Sequence, residues 1–543
     1  MSNQTLISVI AACAIGCGTA APVPDTILIN GKVFTSNADQ LGAEAIAIRG
    51  ERIIAVATTD AVAAMAGPQT RRVDLGGRTV IPGFNDAHVH VGPRIDTFAV
   101  PVSDDPTTPQ VAAALADAVQ KAPAGVALTV QIGGRVWDDA TCTRSWLDSL
   151  VSDRAVMLQM FTGHGVILNS AGLQRAGIDE SIVDPEGGRF GRDAAGRLNG
   201  RAEEYADLLI GRRLAASVPK TDRPVSYRQF STEAVRLGIT SVHLMGNSGP
   251  HAGIVQDVVA SGSPLRWRIL RWPVKEGDQP LQDSKTHLPP QPTPRVDARG
   301  MKWMLDGTPI ERFAATREPF ADRGGERGRI NLPEERIAQF AAWAYGSEDP
   351  LAVHAVGDRA IETYISALEK GGRPEIWARK RPRLEHGDML MPDLVPRAKA
   401  LGMVVVQNPA HLMLREPLLR TLGPARVSRA QPMKSLLDAG IPLAIGSDGP
   451  LNPFLNILFA TTHAVNPAEA LTREQAVVAY THGSAYAEFA ERDKGRLLPG
   501  ALADLAVLSA DLFSVPPNEL PALQSVLTLI SGQPVHNAGL WQP

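Results

Sequence analysis

One pattern restricts this fold more than any other: short apolar runs alternate with helical stretches through the middle of the chain. The runs are Val80–Phe84, Thr240–Leu244, Arg266–Leu270, Lys302–Leu305, Ala352–His354, Arg383–Glu385, Met403–Val406 and Leu443–Ile445. From the second to the eighth they recur about every 34 residues, close to the ~31 expected when eight units share ~250 residues. Between several of them lie amphipathic patterns: Glu335–Tyr345, with Ile337, Phe340, Ala341 and Trp343, and Arg359–Leu368. Alternating strands and helices demand a parallel sheet, and eight such units demand a closed (β/α)8 TIM-like barrel of the α/β class.

The two ends of the chain read differently. Thr26–Ile29, Lys32–Phe34, Ala45–Arg49, Arg52–Ala57 and Arg71–Asp74 are short β segments separated by turns such as Asn30-Gly31. The style returns at Asp504–Leu508 and Val526–Ile530, with Ser531-Gly532-Gln533 as a turn. Both ends are therefore expected to build one composite β-sandwich domain, 22–79 plus 498–543, around a barrel at 80–497. One gap breaks the barrel rhythm, for about 147 residues separate His90 from Gly238 where a single unit needs ~30. It predicts a large insertion after barrel strand 1, at 100–230, with strands of its own at Ala127–Ile132 and Ala155–Met160. An insertion there sits on the face where barrel enzymes keep their active sites.

Composition excludes some function classes. With 54 Lys+Arg against 57 Asp+Glu, 44 % hydrophobic and 20 % charged residues, neither a disordered chain nor a coiled coil fits, and nothing electrostatic calls for nucleic acid. Residues 1–21 read as a leader: Leu6–Ile15 is apolar but too short to span a bilayer, and Ala14-Ile15-Gly16-Cys17 resembles a bacterial lipoprotein processing site, although Met1–Thr5 carries no Lys or Arg. The expectation is an exported protein, periplasmic or anchored to the membrane through a lipid on Cys17, and a cytoplasmic one if the leader does not function. Of the three cysteines, Cys13, Cys17 and Cys142, only Cys142 lies in the body, so no intrachain disulfide is available there.

The sharpest local signal is Pro82-Gly83-Phe84-Asn85-Asp86-Ala87-His88-Val89-His90. In an extended segment residues i and i+2 face the same side, so both imidazoles would point into the barrel mouth. A bare His-x-His is also common as a packed pair. Further ligand types end other strands: Lys302, His354, His386 and Asp448. Imidazole and carboxylate are the usual ligands of zinc, manganese or iron. A buried lysine is rare, and desolvation shifts it toward the neutral amine that reacts with carbon dioxide to give a carbamate.

With these residues in view, the chain resembles the amidohydrolase superfamily, in its family 3 branch, from about residue 26 to 535. Besides 82–90, the matching stretches are Gly163-His164 to Asn169-Ser170, Asp184 to Gly188, Gly238 to Val242, Lys302 to Gly307, His354 to Ala360, Arg383 to His386, Gly446 to Pro450 and Gly500 to Leu508. The resemblance implies metal-dependent hydrolysis of a non-peptide carbon–nitrogen bond, in an amide or cyclic amide, with one or two divalent ions, zinc foremost. By position it implies that His88 and His90 hold a first metal and His354 and His386 a second. Either a carboxylated Lys302 bridges them, or Glu204, reaching in from the insertion, supplies the carboxylate. Asp448 would bind metal and shuttle the proton, and His386 or His411 would stabilise the oxyanion. His243 departs from the acidic residue common at that position. The rival readings are an esterase or lactonase, an isomerase on the same barrel, and a non-catalytic binding barrel.

Other residues read two ways. His164 serves equally as a substrate contact or a structural hydrogen bond, and Asp306 as a polar substrate contact or a loop-setting turn. Gln407 and His411 follow strand 7 and are expected to bind substrate. Asp358 and Arg359 read as a helix start or as partners of the ligating histidines. His463, His482 and His536 are assigned to structure, with His482 in a helical tract Thr472–Ala490, and Trp137, Trp146, Trp267 and Trp272 to the core. The partners expected are a small-molecule substrate and a second copy of the chain as a homodimer, with no nucleic acid and with membrane contact only through Cys17.

Overall fold

A computed structural model of the chain describes residues 22–285 and 287–542. The leader reading, with Cys13 and Cys17, lies outside the described residues.

Eight parallel strands form the barrel: β1 (Phe84–Val89), β2 (Ile239–Gly246), β3 (Arg266–Arg271), β4 (Met301–Met304), β5 (Leu351–Ala355), β6 (Arg383–His386), β7 (Val404–Gln407) and β8 (Leu443–Ile445). Each pairs with its sequence neighbour from β1 to β8. Between them run helices that bury an apolar stripe. Glu334–Gly346 buries Ile337, Phe340, Ala341 and Ala344, and Asp358–Gly371 buries Ile361, Tyr364, Ile365 and Leu368. The Asp358 carboxylate accepts from the backbone N–H groups of Arg317 and Arg359, so it acts at the helix start.

The seam between β8 and β1 is closed just past the end of β8. The Asp448 N–H donates to the His88 carbonyl at 3.0 Å, and the Ser447 N–H to the Asp86 carboxylate at 2.8 Å. Gly446 makes this approach: a Cβ there would lie 2.5 Å from the His88 backbone nitrogen. The same contact that closes the barrel thus sets Asp448 beside His88.

The chain ends share two sheets. Strands Arg52–Ala57, Ala45–Arg49, Thr26–Ile29 and Arg71–Asp74 form one, and the other runs Gln533–Asn537, Ser525–Ile530, Leu505–Leu508, Thr79–Pro82, Lys32–Phe34 and Gly42–Ala43. Leu28, Ile46, Ile48, Val80, Leu505 and Leu529 are among the apolar side chains of their common core. One expectation is corrected here. The run Val80–Phe84 does not open the barrel, because Thr79–Pro82 pairs with Lys32–Phe34 and Leu505–Leu508, and β1 starts at Phe84. The change of sheet falls at Gly83, whose N–H donates to Asp504 while the Phe84 N–H donates to Gly238. A Cβ at Gly83 would come within 2.2 Å of the Thr240 side chain. Val80, Ile81 and Phe84 are all fully buried, so no polar break in the sequence marks the switch.

The long gap folds as a six-stranded sheet in the order Gly188–Arg192, Leu198–Glu204, Gly165–Leu168, Val156–Met160, Ala127–Ile132 and Thr97–Val100. Helix Tyr205–Ala216 follows directly from Glu204. The tract Thr472–Ala490 is helical as expected, running without a break from Arg473 to Ala487, with a π segment at Ala479–Gly483; Gly483 packs against β8, where a Cβ would lie 2.1 Å from the Leu443 carbonyl oxygen. No helix among the described residues is long and apolar enough to cross a membrane.

Candidate metal centre

β1 presents His88 and, one residue beyond the strand, His90. As the two-residue period requires, both imidazoles reach one carboxylate: His90 Nε2 lies 3.3 Å and His88 Nε2 3.7 Å from Asp448 Oδ1. The other oxygen of Asp448 lies 3.6 Å from His411 Nε2 and 3.7 Å from His386 Nδ1. Donor atoms of His88, His90 and Asp448 fall within 4.8 Å of one another, and so do those of His386, His411 and Asp448. Asp448 belongs to both groups.

The imidazoles are aimed by fixed partners. His88 Nδ1–H donates to Glu385 at 2.7 Å, and His386 Nδ1–H to the Asn408 side-chain carbonyl at 2.7 Å, which leaves each Nε2 with a lone pair. Burial, with the Lys302 charge nearby, pushes His88 down to about 4; burial pushes His386 down to about 3 and His354 well below the usual histidine range. These rings are neutral, the form that ligates a cation. Burial works against the Asp448 charge, yet the carboxyl is held well below the usual range, with the hydrogen bond from His90 among the contacts that favour the carboxylate.

Beneath the histidines the barrel interior carries a buried ionic chain. Glu385 binds Arg383 at 2.8 Å, and the Arg383 guanidinium reaches His243 Nδ1 at 2.7 Å and donates to the Ala87 carbonyl at 2.7 Å. His243 Nε2 lies 3.1 Å from Glu488, which Lys494 and Asn85 also contact at 2.7 and 2.8 Å. The histidine at the unusual strand-2 position therefore meets its carboxylate in Glu488.

Three further groups complete the centre. Lys302 is fully buried, its Nζ has no hydrogen-bond partner, and it sits 5.3 Å from the centroid of the Trp272 ring, with burial drawing the amine down to about 8. His354 Nε2 is likewise buried without a hydrogen-bond partner, 3.7 Å from Asp306 Oδ1, and its ring stands 4.4 Å from that of His386 and 5.0 Å from that of His164. Glu204 uses one oxygen to accept from His164 and from Asn331, both at 3.0 Å, and leaves Oε1 buried and unpaired. Gly307 makes room for that oxygen, since a Cβ would lie 2.0 Å from it. Glu204, His386 and Asp448 all have φ between +40° and +67°, a strain on the order of 1–3 kcal/mol each that the surrounding contacts sustain.

These groups face one cavity of about 500 Å3. His88, His90, Lys302, His354, His386 and Asp448 line its barrel side, and Phe161, His164, Glu204 and Leu208 its insertion side. Asp306 and Gln407 do not line it. The Asp306 carboxylate accepts from the N–H groups of Ala315, Val356 and Gly357 and sets that loop. Gln407 is fully buried and donates to the His386 carbonyl at 2.7 Å, so it holds a ligand-bearing strand end. His411 also stands outside the lining, beside Asp448. Trp272, expected only as core, is buried and faces the cavity. Glu385, Asn408 and Asn331 were not singled out from sequence. For Glu385 the signal existed: Arg383 and Glu385 are two apart on a strand and must share its interior side.

Three buried groups without a hydrogen-bond partner, on Lys302, His354 and Glu204, and two histidine–carboxylate sets that share Asp448 fit divalent metal. The comparisons agree. The model of the Amidohydrolase family matches residues 71–536. The putative amidohydrolase YtcJ of Bacillus subtilis is 28 % identical over 504 residues, covering 86 % of this chain and 91 % of that protein. The N-substituted formamide deformylase of Arthrobacter pascens is 24 % identical over 94 % of this chain and 97 % of its own length. Among solved structures, an uncharacterized metal-dependent hydrolase from Pyrococcus furiosus superposes with a TM-score of 0.67 at 21 % identity, over 90 % of this chain and all of that one, which shows a shared fold.

Proposed function

The chain belongs to the amidohydrolase family, and on that premise we propose that it hydrolyses a non-peptide carbon–nitrogen bond, in an amide or cyclic amide of a small molecule, with Asp448 moving the proton. One observation carries the reading: Asp448 is the carboxylate common to the His88–His90 and the His386–His411 groups. A divalent ion held by these residues, zinc foremost, would polarise the substrate carbonyl and acidify a water molecule.

The protein's own groups do the rest. Asp448 takes a proton from the attacking water and returns it to the leaving nitrogen, base first and acid second. Of the two carboxylates open to a bridging role, we favour Glu204: it already carries the group, its Oε1 is free, and its other oxygen is fixed by His164 and Asn331. Lys302 then acts as an amine within the same cavity. Phe161 and Leu208 line the cavity opposite the barrel strand ends and suit an apolar substituent on the substrate. The activity named for the Arthrobacter relative, deformylation of N-substituted formamides, fits this outline.

The test is metal analysis of protein purified without added metal, followed by a panel of N-acyl amino acids, formamides, cyclic amides and esters. Bound divalent metal with turnover confined to amides supports the reading; less than ~0.2 equivalents of metal and no turnover would sink it. Turnover confined to esters or lactones would replace it with the esterase reading.

A further inference from the structure

A second cavity, of about 650 Å3, opens between the insertion and the loop after β4, and the hydrolysis makes no use of it. Six arginines line it, Arg189, Arg201, Arg312, Arg323, Arg327 and Arg329, against four carboxyl side chains. Those carboxyls are already engaged. Asp138 pairs with Arg312 and Arg323, both at 2.8 Å, Glu203 pairs with Arg329 at 2.8 Å, and Glu326 lies 3.7 Å from Arg323. Glu311 is buried, holds the hydroxyls of Thr162 and Thr308, and is pushed by burial toward its neutral form.

The protein supplies few acceptors for the remaining guanidinium donors. Arg201 donates only to the backbone carbonyls of Trp137, Asp139 and Cys142, at 2.7, 2.7 and 3.3 Å, and lies over the Trp137 ring. Arg329 lies over the Phe313 ring, and its Nη2 is buried without a partner. The side chains of Arg189 and Arg327 have no partner among the described residues. The two rings hold guanidiniums in place with little freedom left to lose, so their donors form a ready fork for an oxyanion. Cations gathered in a recess repel one another unless an anion joins them. The hydrogen bond between Thr162 and Glu311 stands in the wall between this recess and the catalytic cavity, so the site is separate from the reacting groups.

We propose that this recess binds a small molecule through a carboxylate or phosphate group, with Arg189, Arg201, Arg327 and Arg329 as donors. The experiment is calorimetric titration of the metal-loaded, full-length enzyme at fixed ionic strength with inorganic phosphate and, in a separate arm, with succinate. Saturable binding in one arm, weakened about tenfold or more in R189A/R327A and partly restored in R189K/R327K, supports the proposal and says which oxyanion is preferred. The control R49A/R72A removes the same charge from exposed positions in the terminal sheets and should bind as the parent does. Three results overturn the proposal: no saturable binding below ~10 mM; equal binding in R189A/R327A, which assigns the anion to the metal centre; or equal weakening in both double variants, which reduces the effect to net charge. Thermal unfolding of each variant separates lost binding from lost fold.

Discussion

The catalytic cavity has two unlike walls. On the barrel side every chemical group except Lys302, which lies within β4, stands near or past a strand end, and the key ligands are held: Glu385 holds His88, Asn408 holds His386, and Gln407 holds the His386 carbonyl. On the insertion side Phe161 and Leu208 stand among polar side chains, Thr162, the His164–Glu204 pair and a Gln159–Asp207 pair. The contrast teaches where each job can be placed. Ligand geometry needs backbone held from several directions, which parallel ladders supply. Substrate shape needs segments that vary without disturbing those ladders.

Variants can break this division. The largest effect is expected from His88→Ala with His90→Ala: turnover falls to background and bound metal is lost while circular dichroism stays near that of the parent; unchanged activity would remove the barrel wall from the chemistry. Asp448→Asn should retain metal and lose at least ~10²-fold in kcat, the scale of general base catalysis, and an undiminished rate would move the proton shuttle elsewhere. Glu204→Gln tests the one insertion residue expected to behave like the barrel wall. A loss near ~10²-fold, with no response of the parent enzyme to added bicarbonate, fits a bridging carboxylate; a bicarbonate-dependent parent would hand the role to a carboxylated Lys302. Glu385→Gln touches no substrate, yet should weaken metal affinity or activity by ~10- to 100-fold, measured by chelator competition.

The smallest effect on turnover belongs to Asp207, where the insertion wall bears on stability instead. Burial raises its carboxyl from 3.8 to about 7. The folded protein then keeps a proton that the unfolded chain releases, so stability falls as pH rises from about 4 to 7 and levels off above that. Asp207→Asn removes this slope. Its unfolding free energy, from denaturant titration, should gain on the parent up to neutral pH, by on the order of a few kcal/mol, and hold constant beyond. Parallel pH profiles would show that Asp207 is ionised in the fold at no cost.

Much of the barrel was legible because each strand is a short apolar run between polar flanks. Leu443–Ile445 was read as it stands, and Arg266–Leu270 fell one residue short. The first strand was misplaced because Val80, Ile81 and Phe84 are equally buried in two different sheets. Within the site, His88, His90 and Asp448 carried their own signal in spacing and position. Asp306 and Gln407 did not, since a polar side chain at a strand end serves backbone N–H or carbonyl groups as readily as it faces a ligand. The arginine-lined recess was invisible as well: its members come from two segments more than a hundred residues apart, and each reads alone as an ordinary surface charge.

The sequence by itself therefore determined the barrel and the kinds of group at its mouth, because periodicity and residue chemistry are local properties. Only the tertiary structure decided that His411 joins His386 at Asp448, while His354 stands against His164 and His386. Those groupings depend on distances across the barrel mouth, which follow from its closure at Gly446 and from the insertion folding back over it. No spacing along the chain encodes either distance.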